Sequence, residues 1–226
     1  MRNAAVATVA VALTALLWVR ASCPDLVLAQ QPAFEPALYR AGSVPTLPNT
    51  AVGGGEVLLD AAVDAGGGVT AVTLLRETPP FGEMFAEAVR GWTFRPGKDL
   101  GLPAPVHVLV AALVRPPALM IPSTHGEPAR DLAVPRAELP LPETTAPPKY
   151  NPLAHRSGVV LVEVRIDAAG RVTRAQVARS SPPFDTAAAE AAWLWRFRPA
   201  RLRGTAVPTV AYIAFGFPEI VTTGPN

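Results

Sequence analysis

Alternating apolar and polar positions predict a β-hairpin followed by a helix in the second half of the chain. Val160, Val162, Val164 and Ile166 occupy every second position, as in a strand with one buried face. After a turn at Asp167–Gly170, a second strand at residues 171–179 returns antiparallel. Pro182-Pro183 ends this pattern, because proline cannot donate a ladder hydrogen bond. Four apolar residues then recur at spacings of four, three and four, which places them on one face of a helix: Phe184, Ala188, Ala191 and Trp195.

The same pattern occurs earlier in the chain at a constant offset of 103 residues. Asp64 and Gly67 of the first turn correspond to Asp167 and Gly170 of the second. Other landmarks keep this offset without a gap: Pro79-Pro80-Phe81 with Pro182-Pro183-Phe184, Trp92 with Trp195, and Phe94-Arg95-Pro96 with Phe197-Arg198-Pro199. One offset maintained through two strands, a turn and a helix indicates an internal duplication.

The duplication predicts an α+β protein of two small two-layer domains, each an antiparallel three-stranded sheet with a packed helix. We assign the domains to residues 55–115 and 149–219, with an irregular lead-in at 30–54 and a tail at 220–226. Residues 116–148 are rich in proline, which favours an extended conformation near polyproline II. We therefore predict that they form an inter-domain linker that buries little.

The N-terminus predicts export. The uncharged apolar run at residues 4–19 suits the h-region of a secretory signal better than a membrane span of about 20 residues. Val27-Leu28-Ala29 offers a cleavage site, so residues 1–29 are either a signal peptide or an uncleaved anchor in the inner membrane. The predicted location is the periplasm. Cleavage would remove Cys23, the single cysteine, so no disulfide would stabilise the mature protein.

Charge and candidate chemistry favour neither nucleic-acid binding nor catalysis. The formal net charge is only +2, and the cations are spread along the chain. His107, His125 and His155 do not have the spacing of metal ligands. Asp64 and Asp167 occupy turn positions where aspartate bonds its own backbone, which explains them without catalysis. We predict a non-enzymatic protein without a cofactor or a metal ion.

A longer set of residues characterises the second copy from its entry to its closing strand. The set comprises Tyr150, Pro152, Val164-Arg165-Ile166-Asp167, Gly170-Arg171-Val172, Ser180-Ser181, Phe184-Asp185, Ala188, Ala191, Trp195, Phe197, Pro199-Ala200, Gly204 and Val207-Pro208. In these residues the second copy resembles the C-terminal domain of TonB-family energy transducers. The first copy, Glu56 to Val114, resembles that family more loosely and lacks the Tyr-x-Pro entry.

The resemblance implies a small αββαβ module of the periplasm, without catalytic activity. Such a module binds short segments of outer-membrane receptors, or of other envelope proteins, by adding them as a strand to a sheet edge. By analogy the binding edge is the closing strand of the second copy: Tyr212, Ile213, Ala214, Phe215, Gly216 and Phe217. The alternative is that these residues only form core and sheet, or that the edges of the two copies pair with each other.

Two features depart from an energy transducer. A transducer's membrane helix engages a proton-driven motor through a polar face that includes a histidine, whereas residues 4–19 contain no histidine. The stretch before the first copy spans at most ~90 Å when fully extended. Two functions therefore remain open. The chain is either a receptor-binding module in energy-dependent transport across the outer membrane, or a structural or adaptor protein of the envelope. In the second case its tandem domains pair within the chain or in a homodimer and transduce no energy.

Overall fold

Six long β-strands, three from each copy, lie in one sheet. The computed structural model of the protein describes residues 34–48, 54–115, 138–149 and 156–219. In chain order the long strands are β1 (Gly55–Val63), β2 (Val69–Arg76), β3 (Val106–Val114), β4 (Gly158–Ile166), β5 (Val172–Arg179) and β6 (Thr209–Phe217). Their order across the sheet is β5-β4-β6-β3-β1-β2. Helix α1 (Phe81–Arg90) follows β2, and helix α2 (Asp185–Trp193) follows β5.

The single sheet corrects the prediction of two separate domains, although the α+β class is confirmed. Within each copy the strands pair antiparallel, but the closing strands β3 and β6 pair parallel and join the copies. Residues from Pro32 onward form one compact unit. The physical reason lies in the closing strands, which are apolar at almost every position and need cover on both faces. A three-stranded sheet under one helix would leave one of those faces in water.

The parallel pairing of β3 with β6 relates the copies by a half-turn about an axis along the strands. This rotation turns the sheet over, so equivalent side chains point to opposite faces. In parallel strands, neighbours at the same height point to the same face, so equivalent residues cannot lie opposite each other. The register shows the required stagger of one residue: Ala211 lies opposite Leu109, although the offset makes Tyr212 the equivalent of Leu109.

The half-turn also creates two hydrophobic cores, one on each face of the sheet. The first core packs under α1 and includes Val57, Leu59, Phe81, Phe85 and Trp92, together with Val210, Tyr212 and Ala214 of the second copy. The second core packs under α2 and includes Val160, Val162, Phe184, Ala188 and Trp195, together with Leu109, Ala111 and Leu113 of the first copy. Each copy therefore contributes its closing strand to the core of the other.

Short strands in the segments before each copy extend the duplication beyond its predicted limits. Leu38–Ala41 pairs with Thr93–Arg95, and Pro142–Thr144 pairs with Arg196–Phe197. The indole N–H groups of Trp92 and Trp195 donate to the carbonyls of Ser43 and Ala146, at 2.7 Å and 2.9 Å. Ser43 and Ala146 are themselves 103 residues apart.

These segments correct two predictions about residues 30–54 and 116–148. Residues 30–54 contain strands where irregular structure was predicted. The predicted extended linker contains the strand Pro142–Thr144, and its Leu139 and Leu141 are buried. The prolines concealed the strands, since the short strands lie outside the main sheet where a missing donor is tolerated. Predictions that concern residues 4–19, Cys23, His125, Tyr150, Pro152 and His155 lie outside the described residues. In the part of the chain that the structure describes, neither helix has the length and apolar character needed to cross a bilayer.

Two small hairpins precede the closing strands at equivalent positions. Lys98–Asp99 pairs with Leu102–Pro103 and also with Phe34–Glu35, and Arg201–Leu202 pairs with Thr205–Ala206. Both turns contain a non-glycine residue in the left-handed region, Leu100 with φ 51° and Arg203 with φ 50°, each followed by glycine. Two successive positive φ angles are typical of type I′ turns, which match the twist of a hairpin.

The turns at Asp64 and Asp167 confirm the structural role predicted for these carboxylates. The Asp64 Oδ1 atom accepts hydrogen bonds from the amides of Gly66 and Gly68, at 2.8 Å and 2.9 Å. Asp167 accepts equivalent bonds from Ala169 and Arg171. The bond from the Gly68 amide is the main cause that lowers the pKa of Asp64, and the bond from the Arg171 amide is the main cause for Asp167.

We predict that Gly170→Ala destabilises the protein far more than Gly204→Ala. Both glycines have positive φ, 78° and 83°, so both variants lose about 1–2 kcal/mol from the left-handed conformation. A Cβ at Gly170 would lie 1.7 Å from the Phe197 carbonyl oxygen, whereas nothing lies within 4 Å at Gly204. The steric overlap should add roughly 1–3 kcal/mol at Gly170 alone. Urea unfolding of both variants measures the difference, and equal losses would contradict this close approach.

Candidate functional site

The predicted binding edge, Tyr212–Phe217, lies in the interior of the sheet. On one side β6 pairs with β4 along its whole length, from Thr209 to Phe217. On the other side Ala211–Gly216 pairs with Leu109–Val114 of β3. All nine residues of β6 are buried. The prediction that this strand is an exposed edge is therefore wrong. The structure instead has the alternative arrangement, in which the edges of the two copies pair with each other.

The physical reason is that β3 is the best available partner for β6. Both strands have nine residues with nearly continuous apolar side chains, and the chain tethers them together at a high effective concentration. An edge strand presents unpaired backbone groups that any extended chain can satisfy. Here the first copy satisfies them. We call this parallel contact between β3 and β6 the seam.

Tyr212 connects the seam to the segment before the first copy. Its hydroxyl accepts a hydrogen bond from the Tyr39 amide at 2.6 Å and donates one to Glu163 Oε2 at 3.3 Å. The Tyr212 ring packs among Tyr39, Trp92 and Phe94, with centroid distances of 5.9 Å, 6.2 Å and 5.8 Å. Burial raises the pKa of the Tyr212 phenol, and the nearby charge of Glu163 raises it further. A residue predicted to contact a partner thus lies at the centre of an intramolecular contact.

Phe217 and Gly216, at the C-terminal end of β6, also make contacts within the chain. The Phe217 ring stacks on Phe184 with a centroid distance of 4.3 Å. A Cβ on Gly216 would lie 2.9 Å from Val114 Cγ2 across the seam, so a side chain here would push β3 away. The remaining predicted edge residues, Ile213, Ala214 and Phe215, are fully buried. The structure therefore brings the six predicted residues together, but as core.

His107 belongs to a partly buried polar pair in the sheet. Its Nδ1 lies 2.7 Å from Asp60 Oδ1, and its Nε2 lies 4.0 Å from a Glu138 carboxylate oxygen. Asp60 is the equivalent of Glu163, so both copies place a carboxylate on the strand face opposite their own helix. In residues 34–48, 54–115, 138–149 and 156–219, no three His, Cys, Asp or Glu side chains are grouped so that they could hold a metal ion.

The outer edges of the sheet are β2 and β5, and not the closing strand that the resemblance indicated. Each has two register shifts, which leave Thr70 and Leu75 unpaired in β2 and Thr173 and Ala178 unpaired in β5. These four positions are equivalent in the two copies. Bulges twist an edge and interrupt its ladder, which makes it a poor template for another strand. The polar residues of β5, Arg174, Gln176 and Arg179 among them, were the available signal for an edge.

Comparison with known proteins supports the assignment of the second copy. Residues 148–218 match the family model described as Gram-negative bacterial TonB protein C-terminal. No curated protein matches the chain. The family match confirms the resemblance for the second copy, which contains β4, β5, α2 and β6. The first copy lies outside the match, so its membership of the family stays a prediction that rests on the 103-residue offset.

We predict that Tyr212→Phe lowers the free energy of unfolding by about 1–3 kcal/mol, because it leaves the Tyr39 amide and the Glu163 carboxylate without this partner. The matched control is Tyr39→Phe, which removes a less buried hydroxyl that donates to the Gly42 carbonyl and also interacts with the Arg179 side chain. We expect the control to lose less than about 1 kcal/mol. Denaturant unfolding at neutral pH measures both, and equal losses would contradict a structural role for the Tyr212 hydroxyl.

The wild type and Tyr212→Phe should differ in how their stability changes in alkaline solution. The folded state keeps the Tyr212 phenol neutral above its ordinary pKa of 10.0, whereas the unfolded chain releases the proton there. The stability that this group contributes is therefore constant below about pH 10 and is lost as the pH rises further. Unfolding measured from about pH 8 to about pH 11 should show a steeper decline for the wild type than for Tyr212→Phe. Parallel declines would contradict the raised pKa.

Proposed function

We propose that the protein is a TonB-like protein-binding module of the periplasm that acts as an adaptor and transduces no energy. The family match of residues 148–218 supports an envelope module of this type, related to transport and protein binding. One observation favours the adaptor over the transducer. The strand to which the family resemblance assigns receptor binding is paired on both sides within the chain.

The seam would have to open before a receptor segment could add to β6. Opening it breaks the pairing of Ala211–Gly216 with Leu109–Val114. It also exposes side chains on both faces of the sheet, because Tyr212 belongs to the first core and Phe215 to the second. A receptor segment could replace the lost backbone hydrogen bonds, but it would also have to cover both faces. We therefore infer that partners bind outside the seam.

We further propose that the protein is not an enzyme. The carboxylates that the sequence singled out serve the backbone of two turns, and their hydrogen bonds account for their lowered pKa values. His107 is engaged with Asp60 within the sheet. Export to the periplasm, with residues 4–19 as a signal sequence or an inner-membrane anchor, rests on the sequence pattern. The closing strands of the two copies pair within one chain. We therefore propose that this pairing does not require a homodimer.

The second candidate is energy-dependent transport across the outer membrane through strand addition to β6. The observation that favours it is that the family match covers the whole second copy, including the closing strand. In this case the first copy would act as an internal occupant of the edge that a receptor segment displaces. The two candidates differ in whether the seam must open.

A reversible disulfide across the seam distinguishes them. Ala112 and Ala214 lie opposite each other in the parallel register, and both are buried. Adjacent strands are close enough for a disulfide, so Ala112→Cys with Ala214→Cys should lock the seam when oxidised. The full chain with Cys23→Ser would be expressed in its own bacterium and cross-linked with formaldehyde. The two single-cysteine variants serve as controls.

We expect the same cross-linked species from locked and unlocked protein, with and without a protonophore that collapses the proton gradient. Species that disappear on locking and return on reduction would establish strand addition at β6 instead. Species that depend on the proton gradient in both forms would establish energy transduction. No cross-linked species in any form would contradict a protein-binding module altogether.

A further inference from the structure

Exposed apolar side chains concentrate at one end of the sheet. Among the described residues five large hydrophobic side chains are exposed: Leu74 (37 %), Leu100 (71 %), Leu102 (71 %), Trp193 (45 %) and Leu194 (64 %). All except Leu74 lie where β3 and β6 begin. Leu100 and Leu102 are in the small hairpin before β3, and Trp193 and Leu194 are at the end of α2. We call this region the hairpin end.

The parallel seam is what brings these residues to the same end. Because β3 and β6 run in the same direction, the connections that precede them leave the sheet on the same side. The Phe94 and Phe197 amides donate to the carbonyls of Gly67 and Gly170 in the β1–β2 and β4–β5 turns, at 2.8 Å and 2.9 Å. The two small hairpins meet through an ion pair of 2.6 Å between Arg203 and Asp99.

The hairpin end is also the basic end of the described chain. Its turns and short strands, in residues 34–35, 38–41, 64–68, 93–105, 142–144, 167–171 and 194–208, carry eight cationic and five anionic side chains. The cations are Arg40, Arg95, Lys98, Arg171, Arg196, Arg198, Arg201 and Arg203, and the anions are Glu35, Asp64, Asp99, Glu143 and Asp167. The described connections at the opposite end carry four of each sign: Arg76, Arg115, Arg156 and Arg179 with Glu56, Glu77, Asp185 and Glu219.

Some of these cations are paired with carboxylates, and others are available to a ligand. The paired ones are Arg171, Arg203 and Lys98. Among the described residues, Arg95 and Arg198 are exposed and have no carboxylate partner. Arg201 bonds only the Gly204 carbonyl. The end therefore combines a surplus of positive charge with exposed apolar groups.

Folding does not account for the leucine at the tip. Leu100 has φ 51°, a region where asparagine or glycine is favoured, and 71 % of its surface is exposed. A polar residue that tolerates positive φ would fit the type I′ turn better. Leu102 is equally exposed beside it. The two side chains gain little from burial in the folded chain, which suggests that they contact something outside it.

We propose that the hairpin end binds the surface of an anionic phospholipid bilayer. The leucines at the tip and Trp193 enter the headgroup region, and the arginines contact lipid phosphates. The tip is an exposed hairpin turn, which a deformable interface accommodates without a matching pocket. Leucine and tryptophan flanked by arginine are the residues that hold proteins in this interface. Each arginine near such a surface strengthens binding about fivefold, so the net positive charge is a substantial contribution. This binding is independent of the function proposed above.

Vesicle co-sedimentation tests the proposal. The protein used is residues 30–226, because residues from Pro32 onward form a compact unit and the apolar run at 4–19 would itself bind lipid. Vesicles of phosphatidylcholine with phosphatidylglycerol are compared with phosphatidylcholine alone. We expect binding to the anionic vesicles at low salt, weakened by added salt and much weaker on neutral vesicles.

Matched variants separate the hairpin end from the rest of the surface. Leu100→Asn with Leu102→Ser should reduce binding to anionic vesicles at least about tenfold while leaving the fold intact, since asparagine suits the left-handed backbone. Arg95→Gln with Arg198→Gln should reduce it by a similar factor. The controls, Leu74→Ser and Arg115→Gln with Arg156→Gln, should leave it within about twofold, because these residues lie outside the hairpin end.

Trp193 provides an internal probe of the contact. Trp92 and Trp195 are 1 % and 2 % exposed, so a blue shift of tryptophan emission on vesicle binding should come from Trp193 and vanish in Trp193→Phe. No binding to anionic vesicles would overturn the proposal, and so would binding that the leucine and arginine variants leave unchanged. Binding without a blue shift would show that Trp193 stays outside the bilayer and would overturn its assigned place.

Discussion

The parallel pairing of β3 with β6 is the contact on which the rest of this structure depends. It requires a one-residue stagger between equivalent positions, because the half-turn that relates the copies turns the sheet over. The same half-turn sends α1 and α2 to opposite faces and gives each closing strand two buried faces. Without the seam, each copy would expose an apolar edge and an uncovered face, both of which favour association with other chains.

The seam also affects which function the family resemblance supports for this chain. The second copy matches the TonB C-terminal family over residues 148–218, and its closing strand lies within that match. In this chain the first copy occupies the edge that the resemblance assigns to a receptor segment. The outer edges β2 and β5 carry bulges at equivalent positions, which lowers their value as templates. We therefore expect partners to bind at surfaces other than the sheet edges. The hairpin end is one such surface.

Local patterns were sufficient to predict most elements but not their assembly. The hairpin and the helix of each copy were predicted, because the apolar spacing and the Pro79-Pro80 and Pro182-Pro183 breaks are local signals. The strands at Leu38–Ala41 and Pro142–Thr144 were missed because the segments that contain them are rich in proline, as irregular segments and linkers are. The edge status of Tyr212–Phe217 could not be derived from periodicity, since it depends on which strand lies beside it. The unbroken apolar run of β6 was nevertheless a signal that both of its faces are buried.

Hydrogen exchange at the amides of β6 tests the seam most directly. In a permanently paired seam, the amides of Ala211–Gly216 that point toward β3 exchange only with global unfolding, as slowly as those of β4. Their protection should also fall in parallel with that of β4 when denaturant is added. Faster exchange at the β3-facing amides, through a local opening that leaves β4 and β5 protected, would contradict this and would make β6 an accessible edge.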